Sequence, residues 1–154
     1  MTDFDVSILG IHRPPSILLA MLASEVGWRG FLQDKISKKH GFIVTPFLVG
    51  VIWAIWYEIL SVYIIVFPPA GISTIIRCIA ESYGYYWITE KSQGNIIPAT
   101  LWHFFVYQFL VQYKINFDCF FDNELPYQIY VVFTVVMAII IVIYEFKAHK
   151  NKIS

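Results

Sequence analysis

Charge is the scarcest property of this sequence of 154 residues, because Asp, Glu, Lys and Arg together make up only 14% of it. A soluble domain of ordinary composition carries about 25% of these residues to cover its surface. Hydrophobic side chains fill the difference and reach 58%, and aromatic rings alone account for 18%. This composition excludes a soluble enzyme and a disordered tail, and it predicts an integral membrane protein.

Cysteine and net charge are also in short supply. The two cysteines, Cys78 and Cys119, are far apart in the sequence, which argues against a disulfide framework and against a Cys-based zinc site. The 11 basic and 11 acidic side chains cancel, so nothing in the total charge favours nucleic acid as a partner. The acidic start lacks the basic region and small-residue cleavage site of a signal peptide, so none is expected.

Five apolar stretches approach the roughly 20 residues that a helix needs to cross about 30 Å of hydrocarbon. They are residues 15–32, 42–67, 70–89, 95–113 and 127–146. We therefore predict an all-α fold, a polytopic transmembrane bundle of about five spans. No repeat or linker divides the chain, so residues 1–154 are expected to form a single membrane domain.

Two of these stretches contain an acid and a base four residues apart, Glu25 with Arg29 and Arg77 with Glu81. A single charge near the centre of a membrane helix costs about 2.5 to 3.5 kcal/mol, and pairing relieves that cost. The spacing places both members on one helical face. Glu25 and Arg29 are predicted to form a buried pair, with a structural and a functional role both open, whereas a structural role is favoured for the second pair.

Lysines concentrate in two segments and predict the topology. Three lie in loop 33–41 and three follow residue 146. Short loops rich in Lys and Arg remain on the cytoplasmic side. Loop 33–41 and the C-terminus are therefore predicted to be cytoplasmic, and the N-terminus and loop 114–126 to be outside.

Two blocks of polar or aromatic residues interrupt the first two stretches. In residues 23–32 (ASEVGWRGFL), Ser24 and Trp28 share a broad helical face with the predicted ion pair. Gly27 and Gly30 in the same block are expected to allow close helix approach. In residues 50–60 (GVIWAIWYEIL), the shared face carries three rings, which is typical of an interfacial aromatic belt. They are Trp53, Trp56 and Tyr57.

A third block, residues 94–110, reads GNIIPATLWHFFVYQFL and places His103 and Tyr107 at i, i+4. A lone histidine in a helix is more often a hydrogen-bonded structural residue than a ligand. At this level the chemistry of His103 stays open.

At these three blocks the sequence resembles the intramembrane CAAX protease and bacteriocin-processing peptidases, the CPBP or Abi family. The family motif Glu-Glu-x-x-x-Arg, commonly within EExGWRGxL, corresponds to SEVGWRGFL at 24–32. A second motif, often GxxWAxWHxP, corresponds to GVIWAIWYEI at 50–59, and a third, TGxSIxPAILxHxxxN, to the segment that ends HFFVY at 107. The resemblance covers about residues 15–113 and implies a CPBP-like core, with 127–146 as an additional C-terminal transmembrane helix.

The resemblance implies an intramembrane endopeptidase but also three substitutions at reacting positions. The glutamate held to activate the attacking water is Ser24, whose hydroxyl cannot act as a general base at neutral pH without an adjacent base. The second motif's histidine is Tyr57 and the third motif's asparagine is Tyr107, so a water-positioning imidazole and an oxyanion-site amide are missing. The retained positions are Glu25, Arg29 and His103.

Three hypotheses follow. The first is a degenerate member that acts as a peptide- or partner-binding scaffold through the cavity around the retained residues. The second is an active peptidase, in CAAX processing or bacteriocin self-immunity, with Glu25 as general base, Arg29 orienting it and His103 polarising the carbonyl. The third is a non-enzymatic transport or assembly subunit. A serine mechanism for Ser24 lacks a GxSG-like setting.

No cofactor is predicted. Some family members have been regarded as metal-dependent, but one carboxylate and one imidazole are too few ligands for a persuasive zinc site, so zinc stays only an open alternative. The expected partners are membrane lipid and, by resemblance, a peptide or prenylated protein substrate. Nucleic acid is not expected, and the sequence does not determine the oligomeric state.

Overall fold

A computed structural model describes residues 14–64, 71–112 and 125–150 of the chain. Within these ranges all regular structure is helical and no strand occurs, which confirms the all-α prediction. The elements are α1 (Pro14–Glu25), a π-helical segment (Val26–Gln33), α2 (Asp34–Ser37), α3 (Val44–Ile64), α4 (Ile72–Lys91), α5 (Ile97–Gln112) and α6 (Leu125–Lys150). The first two correspond to the first predicted span, residues 15–32. Helix α2 continues without a break into predicted loop 33–41, which is therefore helical as far as Ser37, where Asp34 and Lys38 pair at i, i+4 spacing.

Among the described helices, α6 has the length and the apolar composition that best fit a membrane span. Its segment Leu125–Ala148 is, among the described helices, the one both long and apolar enough to cross a bilayer, and Val44–Tyr57 of α3 is a shorter apolar stretch. Most of α6 is exposed, with large apolar side chains such as Val132 and Ile140 facing outward. A helix with this surface is stable where lipid, rather than water, surrounds it.

Helix α4 is the central helix, because it packs against α3, α5, α6 and the π-helical segment. Its buried face is largely polar, and in lipid such groups would lack partners. The face comprises Thr74, Arg77, Glu81, Ser82, Tyr85 and Thr89. This polarity explains both why α4 lies inside the bundle and why its composition is less apolar than that of α6.

The backbones of α3 and α4 come into direct contact at Gly50. A Cβ atom added there would lie 2.5 Å from the Cα of Ile79 and 3.0 Å from the carbonyl oxygen of Cys78. The close approach expected at Gly27 and Gly30 is instead found here. An added Cβ at Gly27 would meet no described atom within 4 Å, and one at Gly30 would meet its neighbours only at 4.0 Å.

A tight turn reverses the chain between α4 and α5. Gln93 and Gly94 adopt positive φ angles of 57° and 83°, and the Gly94 N–H donates to the carbonyl of Thr89 at 2.9 Å. Asn95 Oδ1 then accepts from the Ile97 N–H at 2.9 Å, which caps the start of α5. The turn therefore brings α5 back along the bundle next to α4.

The ends of three elements meet at one end of the bundle. Gly41 and Val44, before and at the start of α3, line the same cavity as Lys91 at the end of α4 and Ala148 near the end of α6. Loop 33–41 and the C-terminal part of the chain thus lie at the same end, as the five-span topology requires. Their cytoplasmic location stays a prediction.

Candidate functional site

The candidate site begins where the first helix changes from α to π geometry, immediately after Glu25. The π-helical segment has the sequence VGWRGFLQ and buries Arg29 and Gln33. π-helical turns are rare and often occur at functional sites, because the inserted residue shifts which side chains face the neighbouring helices. Here the shift leaves Glu25, Arg29 and Gln33 all buried.

Glu25 uses both carboxylate oxygens for hydrogen bonds. Its Oε2 accepts from the Nε of Arg29 at 3.0 Å, and its Oε1 lies 2.7 Å from the Nδ1 of His103 on α5. Glu25 and Arg29 are only 1% and 2% exposed. The predicted buried pair is therefore confirmed, and the structure brings the three retained residues of the motifs into one contact group.

Two aromatic rings hold the guanidinium of Arg29. Its Cζ lies 4.4 Å from the ring centroid of Tyr85 on α4 and 5.6 Å from that of Trp53 on α3. The same two rings meet the imidazole of His103 edge to face, with centroids 5.8 Å and 6.3 Å away. Helices from four parts of the chain therefore fix the site, and cation–π attraction adds to the ion pair.

One donor of the site has no protein partner. Arg29 Nη1 is buried and makes no hydrogen bond within the described part of the chain. A buried donor without an acceptor is unfavourable by about 1 to 3 kcal/mol, more when it is charged, so such a group calls for an explanation. An oxygen atom of a bound molecule is one acceptor that would satisfy it.

The three substituted positions differ in their surroundings. The hydroxyl of Ser24 donates to the carbonyl of Met21 at 2.7 Å, one turn back on its own helix. The ring of Tyr57 lies 5.9 Å from that of Trp53. Tyr107 is half-buried one turn after His103, and no hydrogen bond among the described residues joins it to the site.

A second buried ion pair lies on the other side of Trp53. Arg77 Nη1 donates to Glu81 Oε2 at 3.2 Å, which confirms the pairing of the second predicted pair, and the hydroxyl of Tyr130 on α6 donates to Glu81. The Arg77 guanidinium lies 5.8 Å from the Trp53 ring and 5.2 Å from the Tyr57 ring. Trp53 thus contacts both guanidinium groups, each neutralised by its own carboxylate.

Sequence reasoning missed Tyr85 and assigned Trp53 to the wrong surroundings. Tyr85 follows Glu81 by four residues on the buried polar face of α4, and this spacing is the signal that would have found it. Trp53 and Trp56 were expected together in an interfacial belt. Trp53 is instead 5% exposed inside the bundle, whereas Trp56 is 48% exposed.

The residues present do not fit a zinc site. Across the described ranges, no three His, Cys, Asp or Glu side chains come together closely enough to hold a metal ion. Glu25 and His103 supply two ligands at most, and they already bond to each other. A catalytic zinc requires three protein ligands, so no metal step is derived for this chain.

Comparisons with known proteins agree with the motifs. A sequence profile of the family described as type II CAAX prenyl endopeptidase, Rce1-like, matches residues 13–109. The protein named CAAX prenyl protease 2 from Methanococcus maripaludis is 24% identical over 98 residues, which are 58% of this chain and 36% of that protein. The chain therefore spans about a third of the length of this curated relative. No solved structure matches.

Proposed function

The chain belongs to the Rce1-like type II CAAX prenyl endopeptidases, and from that membership we propose that it binds a peptide or a prenylated protein without cleaving it. The family is membrane-embedded and α6 is a candidate span, so this is a membrane protein. The observation that carries the proposal is the burial of Glu25 between Arg29 and His103, each of which contacts one of its carboxylate oxygens.

A general base needs a lone pair that can reach the proton of a water molecule. Glu25 is buried, and both of its oxygens are already engaged. Ser24, where the resembling family carries the activating glutamate, turns its hydroxyl to the carbonyl of Met21. Glu25 therefore serves as a positioning group that holds Arg29 and His103 in place.

The remaining features favour binding over chemistry. Arg29 Nη1 is a buried donor that a carbonyl or carboxylate oxygen of a peptide would satisfy. The buried rings of Trp53 and Tyr85 lie beside the same guanidinium. An aromatic wall with a few fixed polar groups is the usual composition of a site that orients a ligand.

The test separates binding from cleavage with one set of purified proteins in detergent. The wild type, Glu25→Gln and His103→Ala are incubated with a prenylated peptide and a bacteriocin leader peptide, and cleavage is followed by mass spectrometry. Binding of the same labelled peptides is followed by fluorescence anisotropy. We expect the wild type to bind the peptides and none of the three proteins to cleave them. A further variant, Arg29→Met, should bind them at least about tenfold more weakly than the wild type.

Repair of the motifs tests the reason for inactivity. The variant Ser24→Glu, Tyr57→His, Tyr107→Asn restores the three family residues and should show cleavage. Its matched control carries Ser24→Gln instead of Ser24→Glu, which keeps the size of the side chain but supplies no base, and should stay inactive.

Two outcomes would overturn the proposal. Wild-type cleavage that both Glu25→Gln and His103→Ala abolish would identify an active peptidase with Glu25 as its base. Absence of both binding and cleavage in the wild type, in a folded preparation, would leave the transport or assembly hypothesis as the better account.

A further inference from the structure

The cavity at the end of the bundle, where α3 begins and where α4 and α6 end, has a volume of about 540 Å³. We infer that this cavity binds one anionic phospholipid, with its acyl chains against the apolar walls and its headgroup beside the lysine-rich segments that adjoin the lining residues. The inference is independent of the proposed function, because Glu25, Arg29 and His103 do not line this cavity.

The walls of the cavity are apolar and open to the surroundings. Phe42, Ile43 and Val44 form one wall, and Phe146 and Ala148 of α6 form the other. Side chains on both walls are exposed, and Phe146 is 62% accessible. The volume is within the range of about 300 to 1,000 Å³ that small-molecule sites occupy. Acyl chains are the apolar ligand that a bilayer supplies to such a surface.

The first wall is fixed in place before any ligand binds. The hydroxyl of Tyr83 donates to the carbonyl of Ile43 at 2.9 Å, and the ring of Phe42 packs edge to face on Tyr86 at 5.6 Å. The N–H of Thr45 donates to the carbonyl of Gly41 at 3.0 Å. The cavity is therefore a preformed feature of the fold.

Amphipathic groups form the rim. Lys91 Nζ lies 2.6 Å from Glu145 Oε1, and the indole N–H of Trp87 donates to the same carboxylate oxygen at 2.9 Å. The ring of Tyr144 packs edge to face on that of Trp87. Trp and Tyr are enriched at the level of lipid headgroups, where one end of the side chain is apolar and the other is hydrated.

The charged side chains that line the cavity, Lys91 and Glu145, pair with each other, so the charge that selects the headgroup comes from the neighbouring segments. The segments that meet here carry six lysines against three acids, a surplus of three positive charges. The lysines are Lys35, Lys38, Lys39, Lys91, Lys147 and Lys150, and the acids are Asp34, Glu90 and Glu145. Ion pairs join Lys38 to Asp34 and Lys91 to Glu145, which leaves the positive surplus to an external anion. Basic pockets between membrane helices bind anionic lipid headgroups for this reason.

Native mass spectrometry of the full chain in detergent tests the site. Phosphatidylglycerol and phosphatidylcholine with identical acyl chains are added at equal concentration. We expect one retained phosphatidylglycerol and at least a fivefold preference over phosphatidylcholine. Gly41→Trp should abolish retention, because Gly41 lines the cavity and an added Cβ atom there meets no described atom within 4 Å, so that an indole at this position would occupy space that the lipid needs. The control Ile139→Trp, on the exposed surface of α6, should bind normally.

A second variant separates the effect of the lysine charges on lipid binding from the effect of the cavity's shape. Lys39→Gln with Lys147→Gln lowers the surplus from three positive charges to one and should reduce the preference for phosphatidylglycerol while the bound lipid persists. The inference is overturned if the wild type does not prefer phosphatidylglycerol, or if Gly41→Trp retains it as well as the control does.

A photocrosslinking amino acid at position 41 identifies the occupant directly. In membranes we expect an adduct with the mass of one phospholipid. A crosslink to residues 1–13 or 151–154 would overturn the inference, because the cavity would then be covered by the chain itself.

Discussion

The carboxylate of Glu25 joins two groups, Arg29 and His103, and its role can be judged from what its removal would leave without a partner. Without Glu25, the guanidinium of Arg29 would remain buried among aromatic rings with no carboxylate to neutralise it. His103 would also lose its hydrogen-bond partner. An uncompensated buried charge is far more unfavourable than the absence of the whole pair, because desolvation is no longer offset by attraction.

The first prediction concerns the pair itself. Glu25→Ala and Arg29→Ala should each lower the free energy of unfolding by about 3 to 5 kcal/mol, whereas Glu25→Leu with Arg29→Met should cost much less than their sum. Stability is measured by denaturant unfolding in detergent micelles. A loss in the double variant equal to the sum of the two single losses would contradict the pairing.

The chain offers a matched control at the same i, i+4 spacing. Asp34 and Lys38 form an ion pair at 2.6 Å, but both side chains are exposed. Exposed pairs of this kind contribute only about 0.3 to 0.5 kcal/mol. Asp34→Ala should therefore leave stability almost unchanged, which separates the effect of burial from the effect of spacing.

At the scale of helices, the α3–α4 contact at Gly50 leaves no space for an added side-chain atom. Gly50→Ala should destabilise the protein by about 1 to 3 kcal/mol, because its Cβ meets backbone atoms of Ile79 and Cys78 that cannot move aside as a side chain does. Gly84→Ala is the control: it lies within α4, and its added Cβ meets no described atom within 4 Å. Thermal unfolding of the two variants in one detergent compares them, and equal midpoints would contradict the prediction.

Helix α6 lies outside the segment that the family profile matches, yet it completes the polar face of α4. Tyr130 donates to Glu81, Tyr127 is 2.9 Å from the hydroxyl of Thr74, and Gln128 is 3.1 Å from that of Ser73. Because α6 is mostly exposed, these few bonds, with Glu145, carry much of its specific attachment.

A third prediction tests this attachment. Tyr130→Phe removes one hydroxyl and leaves Glu81 with Arg77 alone, which should lower the free energy of unfolding by about 1 to 3 kcal/mol. Tyr144→Phe, on the exposed part of the same helix, should change it by less than about 0.5 kcal/mol. The free energy of unfolding of each variant is measured by tryptophan fluorescence. Similar decreases in the two variants would show that the hydrogen bond to Glu81 does not stabilise the protein more than an exposed hydroxyl does.

The elements that sequence could predict are those whose signal is local. The long apolar run of α6 and the i, i+4 spacing of Glu25 and Arg29 depend only on neighbouring residues, and both predictions agree with the structure. The contact of Tyr85 with Arg29 joins two helices far apart in sequence, so no local pattern contains it. Likewise, a glycine in the sequence indicates that another helix could pack closely against it. Which glycine does so, here Gly50, is known only from the packed structure.

The change to π geometry at Val26–Gln33 also could not be predicted. Residues 23–32 have the composition of an ordinary membrane helix, and α and π turns differ by one residue per hydrogen bond. Contacts made by Arg29 with α3 and α4 are available only in the assembled bundle. The site residues were therefore identified through motifs, whereas their common geometry required the fold.

At the scale of the whole molecule, the arrangement of the helix ends constrains the topology. Segment 41–44 and the end of α6 line one cavity, so loop 33–41 and the C-terminal segment lie at one end of the bundle. The predicted location of loop 114–126 at the opposite end concerns residues that, apart from 125 and 126, lie outside the described ranges. The lysines of loop 33–41 predict which end is cytoplasmic, and a labelling experiment in intact cells decides it.

The natural cysteines suit this last experiment. Cys78 is fully buried, whereas Cys119 belongs to the loop predicted to be outside. We expect a membrane-impermeant maleimide to label the natural chain through Cys119, and to label Lys38→Cys in a Cys119→Ser background only after the cells are permeabilised. Cys119→Ser alone should remain unlabelled in both conditions, because the Cys78 thiol is inaccessible. Labelling of Lys38→Cys in intact cells, with none at Cys119, would invert the topology and place the lysine-rich end outside.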